Sequence, residues 1–320
     1  MRILLVFSIL IFFSRCSVVV NPEIKKGLDI DQKTFKEISA INEVFVKSLK
    51  TKDLNLLQSI VSAENNKKEK ANELISDYFI DKEIKVIDQF YVNNYTTSIG
   101  ELINKDFSNY FLHYEVLAKE MYFSFLVPKD STFEYLITLV YGKEPDGWKI
   151  LDFNVGFNSI DGMNTEQHLE KAKKQYMKGE LICAFFSAYY AKMCSKSSQY
   201  IVYNNTDEIS NYLSRIENEL KKTIIWPIEI EEIKTKPKIF NIEAFQAEEG
   251  FYPMIKYIST INLNDTIALK EENELIHICI GKYFKGIKSN YSHLLYRVFK
   301  NLPKKSKEFS YGFIKSNSQE

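Results

Sequence analysis

Four side chains near the middle of the chain carry the acid–base chemistry most open to a shared site: His113, Tyr122, Glu134 and Asp152. All four fall in segments rich in aromatic and β-branched residues, the composition of strands. If those strands enclose an aromatic-lined cavity, these are the polar groups that could point into it. A carboxylate buried beside an imidazole rises in pKa and can exchange a proton with an apolar substrate. Nothing in the spacing brings any two of the four together, so they form a candidate pocket, and no catalytic residue is assigned. Taken singly, Glu134 and Asp152 read as rim positions and His113 as an ordinary strand residue.

Other chemistries find less support. Loops that cradle phosphate need closely spaced glycines ahead of a helix, and the 11 glycines here are scattered. No H-E-x-x-H is present, and His277 and Cys279 are two apart in an expected helix, which points them about 200° apart, too far to chelate one ion. His168 and His293, like His113, are isolated, and no G-x-S-x-G accompanies them. No cofactor or metal is therefore expected. Forty-two basic residues balance 42 acidic ones, so no overall field draws nucleic acid. The basic turn Lys304-Lys305-Ser306-Lys307 reads as a solvated loop.

The N-terminus has a character of its own. Met1-Arg2 precedes the apolar run ILLVFSILIFF over 3–13, the pattern of a secretory signal, too short for a membrane span. Phe13-Ser14-Arg15-Cys16 resembles a bacterial lipoprotein signal, with Phe13 and Arg15 in place of the usual small residues. The resemblance implies a signal peptide over 1–16, a lipidated Cys16, a tether over 17–31, and an exported protein of the bacterial cell envelope held to its membrane by lipid alone; ordinary cleavage, or an uncleaved anchor running through Val18-Val19-Val20, stays open. Cys183, Cys194 and Cys279 are too few and too irregular for a disulfide framework. Cys183 and Cys194, eleven apart on one expected helix, would stand roughly 16 Å apart, and buried thiols are expected; a bridge from Cys279 to one of them stays open.

Three strands, over 119–127, 133–141 and 148–157, should position the candidate pocket, the last two joined by a turn in which Pro145 presets φ and Gly147 accepts a positive one. Helices are expected over 33–50, where Phe35, Ile38, Ile41, Phe45 and Leu49 recur at helical spacing, then after an Asp53 cap, and again around Ala71, Leu74, Ile75 and Tyr78. Strands follow over 83–92 and 108–117, with a polar connection over 93–107. Strand alternation puts Met121, Phe123 and Phe125 on one face with Ile137, Leu139, Trp148, Ile150 and Asp152, and Tyr122, Ser124 and Leu126 on the other with Leu136, Val140 and Phe153. Both faces are mainly apolar, so the second should be covered by the helical hairpin, the C-terminal segment or a second copy of the chain.

Helices followed by antiparallel strands ending in Asp146-Gly147-Trp148-Lys149-Ile150 resemble the cone-shaped domain of the nuclear-transport-factor-2-like superfamily, over 32–160. That superfamily holds both enzymes and non-catalytic domains, so the resemblance implies no activity. Over 161–222, Asn164 with Gln167 reads as a capping box, and Ala172, Tyr176, Gly179, Ala184 and Ala191 resemble one tetratricopeptide helical hairpin. A third helix, over 207–222, could complete it. Residues 223–320 read as strands over 224–233, 238–245 and 252–262, a helix over 267–284 capped by Asn264 or Asp265, and strands over 291–299 and 309–314. The series resembles bacterial envelope lipoproteins built in the same order.

The expected fold class is thus α+β: a cone of helices on a curved antiparallel sheet, a helical hairpin connector, and a second small α+β domain. The expected function is a non-catalytic envelope binding or scaffold protein, its partner another envelope protein or a small hydrophobic ligand, with a homodimer open. Two alternatives stand beside it. One is a cone-fold enzyme of the isomerase, dehydratase or hydrolase kind using a buried carboxylate. The other is an interaction adaptor, which needs an exposed groove between Tyr176 and Ala191.

Overall fold

Helix caps fix the first elements. In the computed structural model, which describes residues 22–63, 74–130, 132–304 and 309–317, Asp31 accepts a hydrogen bond from the Thr34 amide at 2.9 Å and starts α1 (Gln32–Thr51). Asp53 does the same for α2 (Leu54–Ile60), accepting from Leu56. Both helices lie on one face of a five-stranded sheet in the order β1 (Glu23–Lys26), β2 (Ile84–Asn93), β5 (Glu120–Pro128), β6 (Phe133–Glu144), β7 (Gly147–Ile160). Its other face is covered by a three-stranded sheet of β3 (Leu102–Asp106), β4 (Tyr110–Glu115) and β8 (Ile201–Tyr203). A third sheet, in the order β13, β12, β11, β10, β9, ends the chain: β9 (Ile228–Glu229), β10 (Lys238–Ala247), β11 (Gly250–Ile258), β12 (His293–Phe299) and β13 (Tyr311–Ser316).

Between these stand α3 (Thr165–Met177), opened by the Asn164–Gln167 capping box, α4 (Leu181–Ser195) and α5 (Thr206–Thr223). α6 (Thr266–Tyr283), capped by Asp265, and the short α7 (Ile287–Asn290) complete the described elements. The fold is mixed α+β, with seven α-helices and three mostly antiparallel sheets among the described residues and no closed barrel.

Several expectations are corrected. Part of the expected tether is β1, which pairs antiparallel with β2. The expected connection over 93–107 contains β3, and the expected strand over 224–233 shrinks to the two residues of β9. The expected helix around Ala71 lies partly outside the described residues; its end is a 3-10 turn, Asp77–Phe79, with Leu74 buried beside it.

The largest correction concerns which face each strand residue occupies. Tyr122, Ser124 and Leu126 pair with Tyr141, Leu139 and Ile137, so these six share the helix-side face. Between β6 and β7 the register shifts by one at Val140/Tyr141: Tyr141 pairs with Ile150, Val140 with Asp152, and Leu151 is the extra residue. A bulge reverses the alternation beyond it. Trp148 and Ile150 therefore face the helices together with Phe153, while Asp152 faces the three-stranded sheet. The bulged Leu151 side chain fills the space over Gly142, where a Cβ would lie 2.3 Å from Leu151 Cδ1.

The cover on the second face also differs from expectation. Leu112, Tyr114, Val116, Tyr200 and Ile201 pack on Phe90, Met121, Phe123, Phe125 and Val140, so strands from the same region, joined by one strand from beyond the hairpin, make the cover. At the far end of the sheet, Phe133 and Ile160 join α4 and the C-terminal sheet in the largest apolar cluster. Cys183 and Cys194 are buried, and they and Cys279 are free thiols.

The chain leaving α4 runs directly against β7. A Cβ on Gly156 would sit 2.5 Å from the Ser197 carbonyl oxygen, a contact between backbones that no rotamer change relieves. Gly156→Ala should lower stability by about 1–3 kcal/mol in denaturant unfolding; an unchanged midpoint would show that β7 and the chain after α4 separate freely.

Candidate functional site

The four candidate pocket residues are not brought together. His113 lies on the outer side of β4, half-buried, with Nδ1 2.6 Å from Asn104 Oδ1. Tyr122 is wholly buried on the helix-side face and donates to Gln89 Oε1 at 2.7 Å; burial pushes its phenol pKa up, so it stays protonated. Glu134, half-buried near the start of β6, accepts from Asn158 Nδ2 at 2.8 Å. Asp152, buried on the opposite face from Tyr122, accepts from the Tyr200 hydroxyl and from Gln199 Nε2 at 3.1 Å.

No imidazole faces Asp152 in these bonds; its partner is a phenol whose pKa is raised by burial and then by the carboxylate itself. The pair ties the chain after α4 to β7. Thr138 donates to Ser198 Oγ at 2.8 Å in the same buried layer.

The helix-side interior is filled by its own side chains. Phe45, Leu49, Tyr122 and Tyr141 are wholly buried there, with Trp148 and Ile150 beside them. A polar thread crosses this core: Tyr141 donates to Asn42 Oδ1 at 2.6 Å, and Asn42 Nδ2 donates to Ser124 Oγ at 3.3 Å. It reaches a groove of about 720 Å³ between α1 and the edge of the sheet.

Phe35 and Val46 line that groove from α1, Ile84, Val86 and Gln89 from β2, and Leu126 from β5. Its polar floor is two amides, Asn42 and Gln89, each held by a buried tyrosine hydroxyl. Its charged lining, Glu43, Lys47 and Lys50, consists of exposed α1 residues. The volume is that of a pocket for a small organic molecule.

Among these residues only Tyr122 stood in the candidate pocket, and it acts at one remove, through Gln89. Asn42 had a legible signal: it lies four residues after Ile38, an amide set in the apolar stripe of α1. Gln89 had none, because a register shift between Val86 and Asp88 breaks the alternation of β2 before it.

A second buried polar group marks the junction of the segments. His168, 1% exposed, has Nε2 2.9 Å from the Ile160 carbonyl, so Nε2–H donates and Nδ1 is left as an acceptor without a hydrogen bond among the described residues. The Tyr190 ring stands edge-on to it at 5.6 Å. Burial drives the imidazole pKa down to about 4.

On the hairpin, the face that carries Ala184 and Ala191 is covered. Ala184 and Ala191 are wholly buried, and α5 packs over them through Ile209, Leu213 and Ile216. Among the described residues, no three His, Cys, Asp or Glu side chains are gathered so as to hold a metal ion, and no helix is long and apolar enough to cross a membrane.

No protein-family model matches the chain, and neither a curated protein nor a solved structure is similar to it. The chemistry of the molecule must be read from its own geometry. For His168 that geometry sets a pH dependence. The folded imidazole titrates near pH 4 and the unfolded one near 6.5, so the unfolded chain binds the extra proton between those values. The stability is present above pH 6.5 and is lost as pH falls toward 4. His168→Gln should remove about 3 kcal/mol of wild-type acid sensitivity across that window, measured as the difference between the two unfolding free energies at pH 7 and pH 4. Parallel pH profiles would overturn the assignment.

Proposed function

We propose that the protein is a non-catalytic binding protein of the bacterial cell envelope, anchored by a lipid on Cys16, and that its ligand is a small molecule with an apolar body held in the groove along α1. The observation that carries this reading is the composition of the groove. Its walls are apolar, its floor amides are held by tyrosine hydroxyls, and its charges are confined to the exposed side of α1. Such a site orients a ligand without offering it a buried proton donor or acceptor of shifted pKa.

The separation of His113, Tyr122, Glu134 and Asp152 supports the same reading over the cone-fold enzyme, which needs a carboxylate and a base in one cavity. The filled core beneath α1 points the same way. Export and anchoring rest on the signal-like run over 3–13 and on Cys16, both outside the described residues.

Two measurements test the proposal separately. A dansyl-labelled fatty acid should bind the wild type with a saturable rise in fluorescence, and Ser39→Trp, at a serine of α1 that also lines the groove, should weaken it by about tenfold or more with thermal stability unchanged. Equal binding by both proteins would place the ligand elsewhere. Labelled palmitate should be incorporated into the wild type in cells and lost in Cys16→Ser; an unlabelled wild type would remove the anchor.

A further inference from the structure

α6 is apolar on two opposite sides, and the fold accounts for one of them. Leu269, Ile276 and Ile280, with Glu272, Asn273 and His277, are buried against the C-terminal sheet. On the other side, Ile267 is 73%, Leu275 48% and Ile278 64% exposed. A single exposed isoleucine is ordinary on a protein surface. Here three large aliphatic side chains share one helix face, and at about 100° per residue Ile267, Glu271, Leu275, Ile278 and Lys282 fall within an arc of about 80°.

The order of charges along this stripe identifies what would cover it. Acid lies toward its N-terminal half and base at its C-terminal end, with aliphatic residues between. A two-fold axis passing between residues 276 and 277 and perpendicular to the helix lays α6 antiparallel on α6 of a second copy. Leu275 then meets Ile278 of the second copy, and Glu271 meets Lys282 of the second copy. Symmetry repeats both contacts, as in any isologous interface. A parallel pairing would instead set Glu271 against Glu271 and Lys282 against Lys282, which like charge disfavours.

We infer that the exposed stripe of α6 is a self-association surface, on which two copies of this chain pair antiparallel through Leu275 and Ile278 with Glu271–Lys282 ion pairs on either flank. The charges are available for it. Glu271 is exposed and makes no ion pair among the described residues, and Lys282 is held by an exposed contact to Glu232 at 3.2 Å, the kind of surface pair that exchanges at little cost. Glu274, at the edge of the stripe, is already neutralised by Lys315. In this register residues 270–283 of the two helices overlap, a contact about 21 Å long, at the small end of specific interfaces, so the dimer should be weak and concentration-dependent. This inference does not depend on the groove along α1.

Sedimentation equilibrium of the full chain tests it. The wild type should pass from monomer to dimer with a dissociation constant on the order of tens of micromolar. Ile278→Glu, at an exposed position where folding does not need the side chain, should be monomeric throughout that range. Glu271→Lys and Lys282→Glu should each weaken association about tenfold, and the two together should restore it. A wild type that stays monomeric at several times that concentration, a dimer that survives Ile278→Glu, or a double variant no better than either single one would overturn the proposal.

Discussion

One buried helix holds the molecule together. α4 has ten of its 15 residues buried, and its sides serve different neighbours. Ile182, Phe186, Tyr190 and Cys194 enter the cluster shared with the end of the large sheet and the C-terminal sheet, while Ala184, Ala188 and Ala191 receive α3 and α5. Small residues allow the close helix approach, and aromatic ones fill the wider gap to the sheets. A helix that is apolar all round must be enclosed, and enclosing this one requires all three segments at once. The end of the large sheet, the helices α3 to α5 and the C-terminal sheet are therefore packed together around α4, with Tyr190 buried at that junction and His168 edge-on to it.

The groove along α1 follows from a different constraint. α1 presents aliphatic and aromatic residues to the sheet, but its Asn42 must be hydrogen-bonded once buried. Tyr141 and Ser124 meet that need from the sheet, and Tyr122 does the same for Gln89. Two tyrosines that could have served as proton donors are thus committed to holding amides, and the cavity that remains is apolar, edged with the charges of an exposed helix face.

Much of the architecture was legible in the sequence, because caps, periodicity and turn residues act locally. Asp53, the Asn164–Gln167 box and Asp265 all cap as their spacing suggests, and Gly147 takes φ +126 at the turn between β6 and β7. The candidate site was much less legible. A strand's faces are fixed only by a register, and register shifts at Val140/Tyr141 and Val86/Asp88 reverse the parity on which any reading of β7 and β2 depends. Asp152 does share the face of Met121, Phe123 and Phe125, as alternation suggests, but the bulge parts it from Trp148 and Ile150, with which strict alternation grouped it. Its partner Tyr200 could not be found at all, since it lies 48 residues away in a segment with no strand-like alternation. The short β3 was hidden in the same way: four of its five residues are exposed, leaving no apolar period to detect.

The placement of β8 has a consequence for how the molecule is made. Its three residues follow the hairpin in sequence, yet they complete the sheet that covers the second face of the five-stranded sheet, where Leu112 pairs with Ile201 and the His113 amide donates to the Tyr200 carbonyl. A nascent chain that has emerged only to the end of β7 therefore carries Phe123, Phe125 and Val140 with part of their cover still missing. Closing that side must wait for roughly forty more residues, by which time the hairpin has also been synthesised. The cover over this side of the large sheet is thus completed from beyond β7 in sequence, and closure over so long a separation is slower than pairing between neighbouring strands.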